Sequence, residues 1–213
     1  MKKGTVKKLC LSIGLLTAFA LWTALVRFVD VRPIGPNGST VGLAALNAAF
    51  HGLTGVHMTL YTVTDWLGLV PVAVCLGFAV LGLVQWIKRR RIRRVDRSIL
   101  VLGGFYVAVI AAYLLFEELA FNYRPVLING CLEASYPSST TLLALCVMLT
   151  AAMELWGRIR NTALRGAVTA VILAFTAFMV IGRLLSGVHW LTDIVGGILL
   201  SGGLVTGYWA VSG

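Results

Sequence analysis

The residues best suited to chemistry lie in one short stretch, between positions 182 and 193, in an otherwise apolar part of the chain. This stretch contains Arg183, His189 and Asp193. If the chain is helical from Val188 onward, His189 and Asp193 are four positions apart, on one helix face and within reach of each other. A carboxylate bonded to one imidazole nitrogen fixes the tautomer and leaves the other nitrogen free to act as a nucleophile or to bind a metal ion. Together with the fixed positive charge of Arg183, these are the parts that a phosphoryl-transfer site needs.

Two upstream segments favour this over the simpler interpretation, in which His189 is an interfacial polar residue and Asp193 caps a turn. The first is Arg124-Pro125, after a long apolar run, and the second is the sequence Tyr-Pro-Ser-Ser-Thr at positions 136–140, which opens another run. The Pro-Ser-Ser part is typical of a helix start, and a helix N-terminus offers free N–H groups and a positive dipole end to an anion. The upstream segments are therefore suited to hold a phosphate group.

In order and spacing, the three segments resemble the signature of the type 2 phosphatidic acid phosphatase superfamily of membrane lipid phosphatases, over about residues 117–193. The resemblance implies that His189 is the nucleophile, which forms a phosphohistidine, and that Asp193 orients it. It also implies that, with nearby backbone amides, the phosphate oxygens are held by Arg124, Ser138, Ser139 and Arg183. It implies a reaction without a metal or another cofactor, and no group of His, Cys and carboxylate residues in the sequence has metal-ligand spacing.

Two positions depart from the pattern of that superfamily. The superfamily pattern has a lysine seven residues before the arginine at position 124, and here that residue is Glu117. The pattern also has a histidine that acts as general acid, and here that residue is Thr140. An alcohol is far too weak an acid to replace imidazole in proton transfer. Glu117 either forms a salt bridge with Arg124 or Arg183, which is the favoured interpretation, or is protonated in the membrane and acts as the acid itself.

The composition is that of an integral membrane protein. Of 213 residues, 59% are hydrophobic and 12% charged, against about 25% charged in soluble domains, and the mean hydropathy is +0.90. Runs long enough to span a bilayer lie at about 9–28, 66–87, 98–119, 140–156, 166–185 and 190–211. We therefore predict an all-α bundle of six transmembrane helices, a single membrane domain over residues 1–213. We expect the first run to be an uncleaved span rather than a signal peptide, because it continues past Ala20 to Leu25.

The distribution of positive charge orients this bundle. Of the 18 Lys and Arg residues, 14 lie before the first span, in the 88–97 connection, or between the fourth and fifth spans. The positive-inside rule places these connections and both termini in the cytoplasm, and the signature residues then meet at the outer face. The basic connection at 88–97 indicates contact with anionic lipids rather than nucleic acid, because it lies between two spans. We expect a multi-pass protein of a bacterial cytoplasmic membrane with an outward-facing site.

The one long outer connection, about residues 29–65, contains the other two histidines, His51 and His57. Its part from Val41 to about Met58 is moderately apolar, as in a helix that lies in the membrane interface. Either histidine is a further candidate for the missing proton donor, although an ordinary interfacial role is more common for such residues.

The resemblance and the departures together predict a phosphatase that hydrolyses a lipid phosphate or diphosphate at the outer face of the membrane. Polyprenyl diphosphate is the favoured substrate, followed by phosphatidylglycerophosphate and phosphatidate, because a phosphate leaving group needs protonation less than an alkoxide does. The alternative is a non-catalytic or weakened binder or carrier of a lipid phosphate, which retains the anion-binding residues without the acid and the lysine.

Overall fold

The computed structural model describes residues 3–212, and over this range the chain is helical without any β-strand. Two short 3-10 turns, at Pro36–Gly38 and Ile92–Arg94, lie in connections. The α-helices are α1 (Lys3–Phe28), α2 (Ala44–Thr54), α3 (Met58–Leu67), α4 (Leu69–Arg89), α5 (Arg97–Leu119), α6 (Ser139–Arg158), α7 (Thr162–Leu185) and α8 (Leu191–Ser212).

Six helical segments are long and apolar enough to cross a membrane: α1, α3 with α4, α5, α6, α7 and α8. The predicted all-α bundle of six membrane helices is therefore confirmed. The second segment begins at Met58 rather than at about residue 66, so the connection before it ends at His57. The polar side chains of Thr62 and Thr64 obscured this start, but each hydroxyl donates to a carbonyl one turn back, at 3.0 and 2.9 Å, which satisfies it inside the helix.

The helices α6 and α8 form the centre of the bundle. Half of the most apolar stretch of each is buried, against 6% for the segment that joins α3 and α4. Small residues let α1 approach α8 closely: the Ser12 hydroxyl donates to the Gly203 carbonyl at 2.7 Å, and a Cβ on Gly203 would lie 2.6 Å from the Leu16 side chain. The centre of the bundle therefore holds the two helices that carry the second and third signature segments.

At one end of the bundle, the connection that contains α2 packs on the turn between α7 and α8. Gly187 in this turn has a φ of +69°, and a Cβ there would lie 1.9 Å from the Gly55 carbonyl oxygen. The amide of His57 donates to the Ser186 carbonyl at 2.9 Å, and Asn47 exchanges hydrogen bonds with Thr192. These contacts hold the turn at residues 186–190 in one place.

Candidate functional site

His189 lies in the turn that precedes α8, and its side chain is buried. The helix begins at Leu191, close to the predicted start of the span at about residue 190, so the condition that the chain is helical from Val188 is not met. The reason is the Asp193 carboxylate, whose Oδ2 accepts from the Trp190 backbone N–H at 3.0 Å and caps the first turn in the manner of a capping box. The same Oδ2 lies 3.6 Å from Nδ1 of His189. Asp193 therefore both caps the helix and faces the imidazole.

The contacts of His189 define its tautomer. Its Nε2 lies 3.2 Å from a terminal nitrogen of Arg124, and because a guanidinium can only donate, Nε2 must accept. The proton of the neutral ring is then on Nδ1, on the side of Asp193. The distance of 3.6 Å between Nδ1 of His189 and Oδ2 of Asp193 is too long for a hydrogen bond, so the carboxylate acts on the ring as a nearby charge. The lone pair of Nε2 consequently points toward the arginines, as a nucleophile requires.

Burial lowers the pKa of His189 to about 4, while Asp193 opposes this shift and the charge of Arg124 adds to it. The ring is therefore neutral at pH 7 and retains the lone pair on Nε2. A charged imidazolium would be formed only after a bond to Nε2 is made, and the Asp193 carboxylate, which is 0% exposed, is in place to stabilise it.

This buried neutral histidine predicts a pH effect on stability. Between its ordinary pKa of 6.5 and its folded value of about 4, the unfolded chain binds more protons than the folded one, so stability falls as the pH falls through this window. We expect the midpoint of thermal unfolding in detergent to decrease more from pH 6.5 to pH 4 in the wild type than in His189→Gln. Parallel decreases in the two proteins would contradict a depressed pKa at this position.

Two arginines approach the histidine from different helices, and each is paired with a carboxylate. A terminal nitrogen of Arg183, Nη2, donates to Asp65 at 2.9 Å and to Thr140 at 2.7 Å. Nε of Arg124 lies 2.9 Å from Glu133, an ion pair without hydrogen-bond geometry. Arg183 is only 1% exposed, yet its Nε and Nη1 have no partner within residues 3–212. Buried guanidinium donors without a partner are costly unless an anion occupies them.

The N-terminus of α6 lies beside the histidine and the two arginines. Ser138 caps the helix, since its hydroxyl oxygen accepts from the Thr141 amide at 3.4 Å, and its own N–H donates to the Asp193 carbonyl at 3.1 Å. The backbone N–H of Ser138 is therefore already used, whereas the first amides of the helix, those of Ser139 and Thr140, lack intrahelical partners. We call Arg124, Arg183 and this helix N-terminus the anion site.

The structure corrects the favoured pairing for Glu117. The carboxylates that pair with the arginines are Asp65 and Glu133, and within the described residues Glu117 forms no salt bridge. It is exposed at the end of α5. Glu117 is only seven residues from Arg124, but the chain turns after the helix because Ala120 adopts a left-handed conformation. The carboxylate that pairs with Arg124 is that of Glu133 instead. The backbone N–H of Arg124 also donates to the Glu133 carbonyl at 3.0 Å.

The two outer histidines lie near the turn but form no hydrogen bond with the signature residues across residues 3–212. The ring of His51 is 5.4 Å from the ring of Trp190, and burial lowers its pKa. Nε2 of His57 contacts the Thr54 carbonyl at 2.9 Å. Both histidines therefore serve to pack or cap the segment that covers the turn.

Two residues of the site, Tyr61 and Asp65 on α3, lie outside the predicted signature. The Tyr61 ring centre is 4.8 Å from the guanidinium carbon of Arg183 and 5.9 Å from that of Arg124, so it stacks against both cations. Asp65 lies one turn later on the same helix face. That spacing is the only signal in the sequence, and it falls at the ambiguous start of the second span.

A cavity of about 270 Å³ opens beside the anion site. Its polar end is formed by Asp65, Ser139 and Thr140, and the rest of its lining is largely apolar: Val109, Ile110, Leu142 and Leu143, with Tyr113. A space with one polar end and apolar walls suits a ligand with a charged head and a hydrocarbon chain. Among residues 3–212, no group of three or more His, Cys, Asp or Glu is arranged to hold a metal ion.

Comparison with known proteins gives the same relationship in sequence and in fold. A model of the PAP2 superfamily matches residues 105–213, the part with all three signature segments. The chain is similar to the solved structure of the first transmembrane PAP2 type phosphatidylglycerolphosphate phosphatase from Bacillus subtilis, with a TM-score of 0.59, 18% identity and 94% of each chain covered. At that identity the similarity concerns the fold. No curated protein matches the sequence.

Proposed function

The chain belongs to the PAP2 superfamily, and we propose that it is a membrane phosphatase that hydrolyses a lipid phosphate or diphosphate through a phosphohistidine on His189. The observation that carries this proposal is the buried, neutral His189, whose Nε2 accepts from Arg124 at 3.2 Å. A site that only bound an anion would bind it more tightly if the His189 imidazole were positively charged. A neutral imidazole beside two arginines is instead the form that attacks an electrophile.

In the proposed reaction, the phosphate oxygens accept from the free Nε and Nη1 donors of Arg183 and replace His189 as the acceptor of the Arg124 donor. Nε2 of His189 then attacks phosphorus, and the bond to the leaving oxygen breaks. The Asp193 carboxylate stabilises the imidazolium that forms. Water attacks the phosphohistidine in the second step, which releases inorganic phosphate. The amides at the N-terminus of α6 stabilise the charge on the phosphoryl oxygens in both steps.

We favour polyprenyl diphosphate as substrate, followed by phosphatidylglycerophosphate and phosphatidate. The reason is the threonine at position 140 in place of an imidazole acid, because a phosphate monoester is a better leaving group than an alkoxide and depends less on the group that donates the proton. The similar Bacillus subtilis structure is that of a phosphatidylglycerolphosphate phosphatase, which supports the second choice. The apolar cavity beside Thr140 accommodates the first part of the lipid chain in either case.

We also propose that the anion site faces outward from a bacterial cytoplasmic membrane, with both termini in the cytoplasm. The support is the positive-inside rule, because the basic residues at 88–97 lie at the end of the bundle opposite the anion site. Two arginines near this connection, Arg89 and Arg158, pair with Asp96 at 2.9 and 3.3 Å. The remaining basic residues there are exposed, as contact with anionic lipid headgroups requires.

The second candidate is a binder or carrier of lipid phosphates. It is favoured by the carboxylates that pair with Arg183 and Arg124, because they neutralise the site and would let it exist as a stable structure without a reaction. It is disfavoured by the neutral His189 with its adjacent carboxylate, which binding alone does not need.

The test is phosphate release by purified protein in detergent, with a chelator present, from polyprenyl diphosphate, phosphatidylglycerophosphate and phosphatidate. We expect release from the diphosphate at the highest rate and none from any lipid with His189→Ala. Binding of the lipids without release by the wild type would favour the carrier. Release that persists in His189→Ala would contradict the phosphohistidine.

A further inference from the structure

We propose that Asp65, which lies outside the three signature segments, is the proton donor that replaces the histidine absent at position 140. This inference rests on the proposed phosphatase function and names the acid of that same reaction. It assigns a catalytic role to α3, a helix that lies outside the matched residues 105–213.

The geometry points to Asp65 through a shared contact. One nitrogen of Arg183 donates both to Oδ1 of Asp65 at 2.9 Å and to Oγ1 of Thr140 at 2.7 Å. The carboxylate therefore lies beside the side chain whose position the superfamily gives to its general acid. It also borders the polar end of the cavity, next to Ser139 and Thr140, where the bond to a leaving group would be.

The nucleophile and Asp65 contact different arginines. His189 contacts Arg124, whereas Asp65 contacts Arg183, and the Tyr61 ring packs against both guanidinium groups. His189 and Asp65 therefore approach the anion site beside different guanidinium groups. Attacking and leaving oxygens or nitrogens stand roughly in line in phosphoryl transfer, so the acid is required on the side away from His189.

Among the described acids, Asp65 is the one that forms an ion pair with Arg183. Glu133 pairs with Arg124, the arginine that contacts the proposed nucleophile, and Glu117 lines a small cavity with Pro137 and Ser139 but forms no ion pair with either arginine. His51 and His57 contact Trp190 and the Thr54 carbonyl instead.

Water can supply the proton of this acid, because the Asp65 side chain is 56% exposed. Its contact with Nη2 of Arg183 places the carboxyl group beside the Nε and Nη1 donors of the same guanidinium, which have no partner among the described residues. Asp65 would therefore lie next to a leaving oxygen while Arg183 holds the phosphate.

The proton and the bonds balance over the two steps. In the first, Nε2 of His189 forms a bond to phosphorus, the P–O bond to the leaving group breaks, and the Asp65 proton moves to the leaving oxygen. The products are an alcohol, or a monophosphate, and a phosphohistidine beside an ionised Asp65. In the second, Asp65 takes a proton from water as its oxygen attacks phosphorus, the P–N bond breaks, and inorganic phosphate leaves. Asp65 is then protonated again.

The test compares leaving groups in Asp65→Asn, which keeps the size of the side chain and removes the acid. We expect kcat to fall by about 10²-fold or more with phosphatidate, whose alkoxide needs a proton. With p-nitrophenyl phosphate, whose phenolate leaves unprotonated, we expect a decrease of less than about tenfold. Retained activity on the aryl phosphate also shows that the variant is folded. Glu118→Gln, an exposed carboxylate on α5 that forms no ion pair in the described residues, is the matched control for the charge change.

Two results would overturn the assignment while leaving the phosphatase intact. Equal losses on both substrates would mean that Asp65 only positions Arg183. A lower KM with unchanged kcat would mean that the carboxylate merely competes with phosphate for Arg183. A wild type that releases phosphate from none of polyprenyl diphosphate, phosphatidylglycerophosphate, phosphatidate and p-nitrophenyl phosphate would instead overturn the proposed function and this inference together, so the two failures are distinguishable.

Discussion

We expect His189→Ala to lower kcat for phosphate release by about 10⁴-fold or more, the largest effect of any single substitution in the chain. The nucleophile cannot be replaced by another side chain, because within residues 3–212 no second histidine contacts the anion site. Arg124, Arg183 and Asp193 would remain in place, so lipid phosphate should still bind. The measurement is single-turnover release of phosphate, combined with transfer of radiolabelled phosphate to the protein from a labelled lipid.

A matched substitution separates chemistry from folding. His57→Ala removes an exposed imidazole whose ring contacts only the Thr54 carbonyl, and its backbone N–H to Ser186 is retained. We expect label on the wild type and on His57→Ala, and none on His189→Ala. Equal labelling of all three proteins would place the covalent intermediate elsewhere and would refute the role of His189.

The membrane helices could be predicted because hydropathy over about 20 residues reports the bilayer directly. The polar ends of these helices could not be predicted from hydropathy. Thr62, Thr64 and Asp65 lower the local hydropathy, so a hydropathy average places the first two turns of the second span in a connection. In the structure the threonine hydroxyls bond to carbonyls of their own helix, an arrangement that a hydropathy average does not detect.

Within the site, spacing along the chain predicted the residues that are close in sequence and failed for those that are distant. Asp193 and His189 are four residues apart, and their contact follows from local geometry alone. Asp65 and Arg183 are separated by 118 residues, and their ion pair depends on how α3 packs against α7. The expected partner of Arg124 or Arg183 is Glu117, which stands where the resemblance implies a lysine, and it pairs with neither arginine in the described residues. Charge alone predicted that an arginine in the membrane has a carboxylate partner, but not which one.

The ion pairs partly neutralise the anion site in a way that the sequence pattern does not suggest. Each arginine of the anion site has one carboxylate, Glu133 for Arg124 and Asp65 for Arg183. In the proposed reaction, a phosphate dianion would share the two guanidinium groups with these carboxylates rather than enter a site of free positive charge. This sharing would weaken ground-state binding more than binding of a transition state with more charge on its oxygens.

The second large effect is expected for Arg183→Lys. Arg183 has two functions at once: Nη2 donates to Asp65 and Thr140, and Nε and Nη1 remain for the phosphate. A lysine keeps the charge but has a single ammonium group without the planar fork. It can satisfy either the carboxylate or the phosphate. We expect kcat/KM to fall by about 10²- to 10³-fold, measured with p-nitrophenyl phosphate so that the leaving group needs no acid.

The matched control is Arg165→Lys, at the other end of α7, where the guanidinium stacks on Trp156 at 4.3 Å and no signature residue is near. Asp65→Asn in the Arg183→Lys background then divides the two functions of the arginine. If lysine is held by the carboxylate, removal of that charge frees it for phosphate, and part of the lost kcat/KM for the aryl phosphate returns. If Arg183→Lys has wild-type activity, phosphate binding does not depend on the paired N–H donors of the guanidinium group. The free Nε and Nη1 donors would then need another explanation.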